Sequence, residues 1–384
     1  MHILHLIKTS EGASWAINQI KEIKRRFPEI TFSVIIPDGG IHIIEYYEVC
    51  RDVYLFDYKL NHTIFNRGLE FKKIVINDNP DIIHSWFTQT TLYARFFLRN
   101  SKVPRLFQVV GPLHLENKIF KFFDIKSAQQ NDYWIATSKY ILNKYRTSNV
   151  GEDKLFLNYA YIHIEKLLRE KETVAIINFR NKYGIPANYK IIGTASYIYP
   201  PKFYEKTGVK GHEKLLEVFR AILEVRKDVV LIIAGKTFGD KVDYENKLKQ
   251  IALAIDKDRI LFTGAYKNVF SVIANFDVFV YLSKSENLGG VFESLLFEVP
   301  TISSDRGELP ELVLNNETGY NVSLENNVII KERILKMLNS ENEDFKKNGK
   351  ERVQQLFDED TIINKAYAIY VNVGFLNSNN TIVK

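Results

Sequence analysis

Two carboxylates, Glu286 and Glu293, flank a glycine pair in Ser283-Lys-Ser-Glu286-Asn287-Leu288-Gly289-Gly290-Val-Phe-Glu293-Ser294. The apolar run Phe276 to Leu282 leads into this stretch and reads as a buried strand, while Val291, Leu295 and Leu296 recur behind it at helical spacing. A strand end, a glycine turn and a helix start therefore meet at one place. Unpaired N–H groups at a helix start, aided by the positive end of its dipole, can hold a diphosphate. Glycines let the phosphate approach the main chain, and the two acids can accept hydrogen bonds from sugar hydroxyls. A nucleotide-activated sugar is the ligand class that suits this chemistry.

The elements that would position such a junction alternate along the whole chain. In the first half, strand candidates are Ile3–Ile7, Phe32–Ile36, Val53–Phe56, Ile82–His84, Leu106–Val110, Trp134–Ala136 and Phe156–Asn158, with helical patterns such as Ser14–Arg26 and Ile64–Asn77 between them. After the charged stretch Glu165–Thr173 the alternation restarts, with strands at Ile191–Ala195, Val229–Ala234, Ile260–Thr263, Val278–Leu282 and Thr301–Ser303. Strand–helix alternation predicts α/β architecture with parallel sheets covered on both faces. Two Rossmann-like, doubly wound domains follow, at residues 1–165 and 166–358, and a terminal helix in 359–384 is expected to pack back on the first. Ligand is expected in a cleft at the carboxyl ends of the strands.

Composition narrows the class. The chain has 384 residues, 46% of them hydrophobic, and a net charge of +6, which is the profile of an ordinary globular chain of about two domains. A single cysteine, Cys50, leaves no intrachain disulfide and fits a reducing compartment. Ile3-Leu-His-Leu-Ile7 is too short for a signal-peptide core, and no uninterrupted apolar stretch is long enough to span a bilayer. A cytoplasmic location is expected. Residues 1–173 carry 24 Lys/Arg against 19 Asp/Glu, and Lys118-Ile-Phe-Lys121-Phe-Phe-Asp-Ile-Lys126 interleaves bases with aromatics. That segment is either an amphipathic helix packed on its own domain or a contact for an anionic membrane or lipid-linked acceptor. No nucleic-acid-binding motif is present.

From residue 190 to 325 the chain resembles the retaining glycosyltransferases of family 4, which have the GT-B architecture. The likeness rests on Val209-Lys210-Gly211-His212-Glu213, Val230 to Gly235, Ile260 to Gly264, Ser285-Glu286…Glu293-Ser294, Val299-Pro300 and Gly307-Glu-Leu-Pro310-Glu311…Thr318-Gly319, in that order. The resemblance implies that Glu286 contacts donor-sugar hydroxyls and that backbone groups of Asn287, Leu288, Gly289 and Gly290 meet the sugar and diphosphate. It implies that Glu293 accepts bonds from the ribose and that Lys210 neutralises the departing diphosphate. In the first half, Thr9-Ser-Glu-Gly12-Ala-Ser14 resembles the family's donor-facing glycine loop, with Ser14 a plausible helix cap. His114, after the Gly111-Pro112 turn, stands where a histidine approaches the donor sugar in the family, with Glu116 as companion; a turn histidine bonded locally is the plainer alternative. For His84, at a strand end, the structural reading comes first.

Two departures bear on the site. Six residues separate Glu286 from Glu293, one fewer than is usual in the family. The usual phosphate-binding Arg is absent from Gly193-Thr-Ala-Ser-Tyr197-Ile-Tyr-Pro-Pro201-Lys202, so Lys202, Lys210 or Lys236 must replace it. Lys202 follows two prolines that fix its loop.

Other chemistries fit less well. Asp256-Lys-Asp258 has the letters of a metal-binding Asp-x-Asp but precedes a strand, and no His/Cys ligand spacing, dinucleotide fingerprint or P-loop occurs. The reading is a metal-independent retaining glycosyltransferase without cofactor, joining a sugar from a nucleotide-sugar donor, UDP-linked in most of the family, to a glycan or lipid-linked acceptor. Catalytic roles are expected for Glu286, His114 and Lys210, and donor binding for Gly12, Lys202, Lys210, residues 287–290 and Glu293. The alternative is a degenerate GT-B protein that binds sugar nucleotide or acts as a scaffold. A sugar phosphorylase or a UDP-sugar 2-epimerase of the same fold is a further possibility.

Overall fold

The computed structural model describes residues 1–382 apart from 203, 204, 238, 240 and 241, with side chains described through residue 375. The chain divides into two compact units, Met1–Ile164 with Phe357–Lys384, and Glu165–Leu356.

The first unit is built on strands β1 (His2–Leu6), β2 (Thr31–Ile36), β3 (Asp52–Leu55), β4 (Ile82–Ser85), β5 (Arg105–Val109), β6 (Asp132–Ala136) and β7 (Leu155–Leu157). They form one parallel sheet in the order β3-β2-β1-β4-β5-β6-β7. The order reverses between β1 and β4, the position at which doubly wound sheets open a crevice at their carboxyl ends. Its central strands are buried along their length because helices cover both faces, hence their near-continuous apolar character. The helix Glu359–Ile382 belongs to this unit. Tyr370 Oη lies 2.7 Å from His84 Nδ1, and Tyr367 stacks on Phe27 at 3.9 Å between ring centroids. His84 is fully buried and stacked on Trp86, and burial pushes its pKa down to about 3, so the ring is neutral.

The second unit carries β8 (Lys190–Ala195), β9 (Val229–Ala234), β10 (Ile260–Gly264), β11 (Val278–Tyr281), β12 (Thr301–Ser304) and β13 (Tyr320–Val322), all parallel, in the order β10-β9-β8-β11-β12-β13. The reversal here falls between β8 and β11. The helix His212–Val225 buries Leu215, Leu216, Phe219, Ile222 and Leu223 against the sheet, at the i, i+3/i+4 spacing of a one-sided helix. This fold, two parallel α/β units, is that of the GT-B proteins.

Two local expectations differ from the structure. Ser14 does not cap its helix: it is the first helical residue, and Ala13 takes the cap position in a left-handed conformation (φ 63°) without a side-chain bond. The strand β13 was not anticipated, because three residues, Tyr-Asn-Val, are too few to show a period.

Candidate functional site

In the second unit, β11 ends at Tyr281 and the following loop, residues 282–288, feeds the helix Gly289–Leu296. The loop is tied on two sides. Ser283 Oγ donates to the carbonyls of Val209 and Ser285, and Lys284 N donates to Val209 O at 2.8 Å. Ser304 Oγ donates to Ser283 O at 2.5 Å, and Glu308 N to Glu286 O at 3.2 Å. These bonds fix Val209-Lys210 and the Glu286 backbone beside each other, although 76 positions separate Lys210 from Glu286.

The glycine pair is demanded by close approach. A Cβ on Gly289, which has φ 51°, would lie 2.7 Å from Tyr281 Oη, and one on Gly290 would lie 2.8 Å from the Ala195 carbonyl at the end of β8. Both distances are closer than real Cβ contacts. The helix start is thereby drawn against the ends of β8 and β11, at the reversal point of the sheet.

Glu286 is nearly enclosed. Its Oε2 accepts from Lys210 Nζ and, at 2.5 Å, from the Tyr281 hydroxyl, while Oε1 accepts from Asn287 N at 3.1 Å. Lys210 Nζ also sits 5.7 Å from the ring centres of Tyr199 and Tyr281, so its charge is shared between a carboxylate and two aromatic faces. Tyr281 is 1% exposed. Its phenol is a site residue that the sequence reading missed; the available signal was a tyrosine at a strand end, five positions before Glu286.

Glu293 presents the opposite condition. The residue is partly exposed, yet Oε2 is sealed from solvent and has no hydrogen-bond partner among the described residues. Burial, opposed by its own backbone N–H and reinforced by the charge of Glu286, pushes its pKa up to about 7. A carboxylate in this state gains from any hydroxyl brought to it, because an unmatched buried acceptor is costly. His212, the first residue of its helix, is buried beside Ser196 Oγ at 3.3 Å, and burial together with the Lys210 charge lowers its pKa to about 4.

The structure therefore brings Lys210, Glu286, Asn287, Leu288, Gly289, Gly290 and Glu293 to one corner of one unit. Lys202 is exposed and 3.8 Å from Glu205, and Lys236 is exposed. Lys210 is the cation that touches Glu286. Asp256 accepts from the backbone N–H groups of Asp258 and Arg259, which makes the Asp-x-Asp letters a turn.

Gly12 and His114 lie in the first unit. Gly12 is exposed in the loop after β1, and that loop is braced by the next one: Gly40 N donates to Ser10 Oγ at 2.9 Å and His42 N to Ser10 O at 3.0 Å. His114 is in the short helix Leu113–Glu116, not in an irregular turn. Its Nε2 meets Asp124 Oδ2 at 3.2 Å and Tyr145 Oη at 3.1 Å. Asp124 also takes hydrogen bonds from Arg95 (2.8 Å), Trp134 Nε1 (3.1 Å) and Tyr145 Oη (2.6 Å). The ring is thus held by Asp124 and Tyr145, on two other helices, which supports a structural role.

Residues 177–352 match the family model described as glycosyl transferases group 1. The chain is 23% identical over 390 residues to the capsular polysaccharide biosynthesis glycosyltransferase CapM of Staphylococcus aureus, covering 96% of each. It is 24% identical to the N-acetyl-alpha-D-glucosaminyl L-malate synthase of Bacillus anthracis, over 64% of this chain and 61% of that one. Among solved structures, Anabaena HepE in complex with UDP-glucose superposes with a TM-score of 0.77 at 16% identity, over 97% of this chain and 100% of the other; that likeness is one of fold. The match to the glycosyl transferases group 1 model lies within the second unit, Glu165–Leu356.

Proposed function

We propose that this chain is a metal-independent, retaining glycosyltransferase that moves a sugar from a UDP-linked donor to a hydroxyl of a glycan or lipid-linked acceptor, in the assembly of a cell-surface polysaccharide. The observation that carries the reading is Glu293: a buried carboxylate oxygen without a partner, one helical turn behind a glycine pair. A ribose diol reaching this carboxylate from its partly exposed side supplies hydroxyl donors to it. The diphosphate then meets the N–H groups at the start of the Gly289–Leu296 helix, and the sugar hydroxyls meet Glu286.

The chemistry assigns each group a task. The bond from the anomeric carbon to the β-phosphate oxygen breaks, and its electron pair stays on the diphosphate. The acceptor oxygen bonds to the same carbon on the face the diphosphate leaves, and its proton passes to the departing phosphate oxygen. Negative charge grows on the diphosphate, and Lys210, held between Tyr199 and Tyr281, is placed to offset it. Glu286, fixed by Tyr281 and Lys210, orients the sugar. The donor bound by HepE and the name of CapM support UDP and polysaccharide as the finer terms.

The test is a panel of sugar nucleotides offered to the full chain, with free nucleotide measured by mass spectrometry, with and without EDTA. Release from one UDP-sugar, insensitive to EDTA and lost in Glu286→Ala, is the expected result. Equal background release by the wild type and Glu286→Ala would leave a sugar-nucleotide binder or scaffold. Loss in EDTA restored by Mn²⁺ would overturn metal independence.

A further inference from the structure

The helix Lys118–Ser127 is turned inside out. At about 100° per residue, Ile119, Phe120, Phe122 and Phe123 share an arc of roughly 160°, and all four are more than half exposed. Asp124, the one acid of the helix, lies outside that arc, about 120° from its centre, and is 1% exposed. Its carboxylate is held there by Arg95, Trp134, Tyr145 and His114. A helix packed only for its own domain would place the rings inward and the acid in water. Here a buried ionic clamp holds the apolar face outward.

The charges beside this face have one sign. By the same spacing Lys126 falls within the arc and Lys118 about 40° beyond its edge, while Lys121 lies on the opposite side of the helix. Asn117 caps the helix start, accepting from the N–H groups of Ile119 and Phe120. Glu116, just before the cap, is the nearest acid in sequence and lies 3.4 Å from Tyr140 Oη. The neighbouring helix Thr88–Phe97 continues the surface with exposed Phe96, whose ring centre is 6.3 Å from that of exposed Phe65 on the helix Ile64–Asp78. Lysine is depleted from the buried centres of protein–protein interfaces. Lysines bordering a bulky apolar helix face suit the headgroup region of an anionic bilayer, where rings enter the acyl boundary and ammonium groups meet lipid phosphates.

We infer that the Lys118–Ser127 helix docks this protein on anionic membrane, with Ile119, Phe120, Phe122 and Phe123 inserted and Lys118 and Lys126 at headgroup level. The docking stands on the geometry of the first unit; only its use, meeting a lipid-borne acceptor, rests on the function proposed above.

The experiment is co-sedimentation of the full chain with vesicles of phosphatidylglycerol mixed into phosphatidylcholine, against pure phosphatidylcholine, at low and high salt without donor. Binding to the anionic vesicles that weakens with salt is expected. The double variant Phe122→Ser/Phe123→Ser should lower partitioning on the order of tenfold or more. Lys118→Gln and Lys126→Gln should each lower it roughly fivefold, and Lys121→Gln, on the far side of the helix, by less. Unchanged thermal midpoints and UDP affinity in these variants show that fold and donor site are intact. Equal partitioning of wild type and variants overturns the proposal. So does concentration-dependent self-association in sedimentation that the phenylalanine variant abolishes while wild type ignores vesicles, because a second copy would then cover the face. Lost transfer with retained vesicle binding would count against the proposed function and leave the docking in place.

Discussion

Asp124 in the first unit and Glu293 in the second are both removed from water, and their surroundings treat them in opposite ways. Burial raises the pKa of each, but at Asp124 hydrogen bonds from His114 and Tyr145 and the charge of Arg95 more than offset it and bring the carboxyl to about 2. At Glu293 burial prevails over the one opposing bond, from its own backbone N–H, and the carboxyl stands at about 7. Arg95 in turn reaches Asp132, which Arg105 also grips at 2.8 Å, so the first unit holds a closed network of two acids and two guanidinium groups. A buried charge with matched partners fixes architecture. A buried acceptor left open is a place where a ligand completes the structure.

Removing each carboxylate tests the contrast, and the largest effect is expected at Asp124. Asp124→Ala leaves Arg95 buried with one partner fewer, a change that typically costs about 3–5 kcal/mol. Chemical denaturation should show this as a lower midpoint with an unchanged slope. The pH dependence has a fixed sign. The folded pKa lies below the ordinary 3.8, so the wild type holds this stabilisation above that value and loses roughly 2 kcal/mol as pH falls through about 2. If Asp124→Ala were as stable as wild type, the network would not be the clamp that sets the Lys118–Ser127 helix.

Glu293→Gln should move stability the other way. Its folded pKa lies above the unfolded value of 4.5, so the folded state binds the proton more tightly. The Glu293 contribution to stability is then greatest below pH 4.5, declines by up to about 3 kcal/mol as pH rises through 7, and is level above that. Glu293→Gln should remove this slope and gain stability at pH 8. It should also weaken UDP binding by about 1.5–3 kcal/mol, the loss expected for hydrogen bonds to a charged acceptor. Wild-type UDP affinity should rise with pH through 7, since hydroxyl donors favour the ionised form. Calorimetry with UDP across that range decides it: flat affinity in the wild type, or none lost in the variant, would separate Glu293 from the ribose.

The two halves of this contrast were not equally legible in the sequence. The parallel strands were, because a strand buried on both faces is a plain apolar run, as in Val229–Ala234. Glu286, Gly289, Gly290 and Glu293 could be read too, since strand end, glycine turn and helix start are adjacent in the chain. Tyr281 could not: a tyrosine at a strand end reads as core, and its ring is core, while only its hydroxyl reaches Glu286. The Asp124 network could not either, because Arg95, His114, Trp134 and Tyr145 come from four separate elements. Periodicity marked the Lys118–Lys126 segment as amphipathic without saying which face turns inward, and Asp124 reversed the usual answer.

His114 probes the boundary between the two kinds of site. As one of several donors around Asp124, its replacement in His114→Ala should cost about 1–2 kcal/mol of stability and leave turnover per folded molecule unchanged at saturating donor. A loss of kcat without loss of stability would restore the catalytic role that the family resemblance implies.

The smallest expected effect separates positioning from contact inside the donor corner. Tyr281→Phe keeps the ring, its packing beneath Lys210 and the space Gly289 needs, and deletes one hydrogen bond to Glu286. Glu286 retains Lys210 and the Asn287 N–H, so it stays near its place, with more freedom about its side-chain torsions. A positioning hydroxyl lost in this way should lower kcat/KM by about 1 kcal/mol, roughly fivefold. The loss should fall on kcat for sugar transfer, while UDP affinity, which depends on Glu293 and the helix start, stays the same. A wholly structural role would instead lower the thermal midpoint and leave both constants alone. An equal fall in affinity for UDP and for the UDP-sugar would mean that Glu286 serves the diphosphate rather than the sugar, and the two acids of the glycine junction would then share one task.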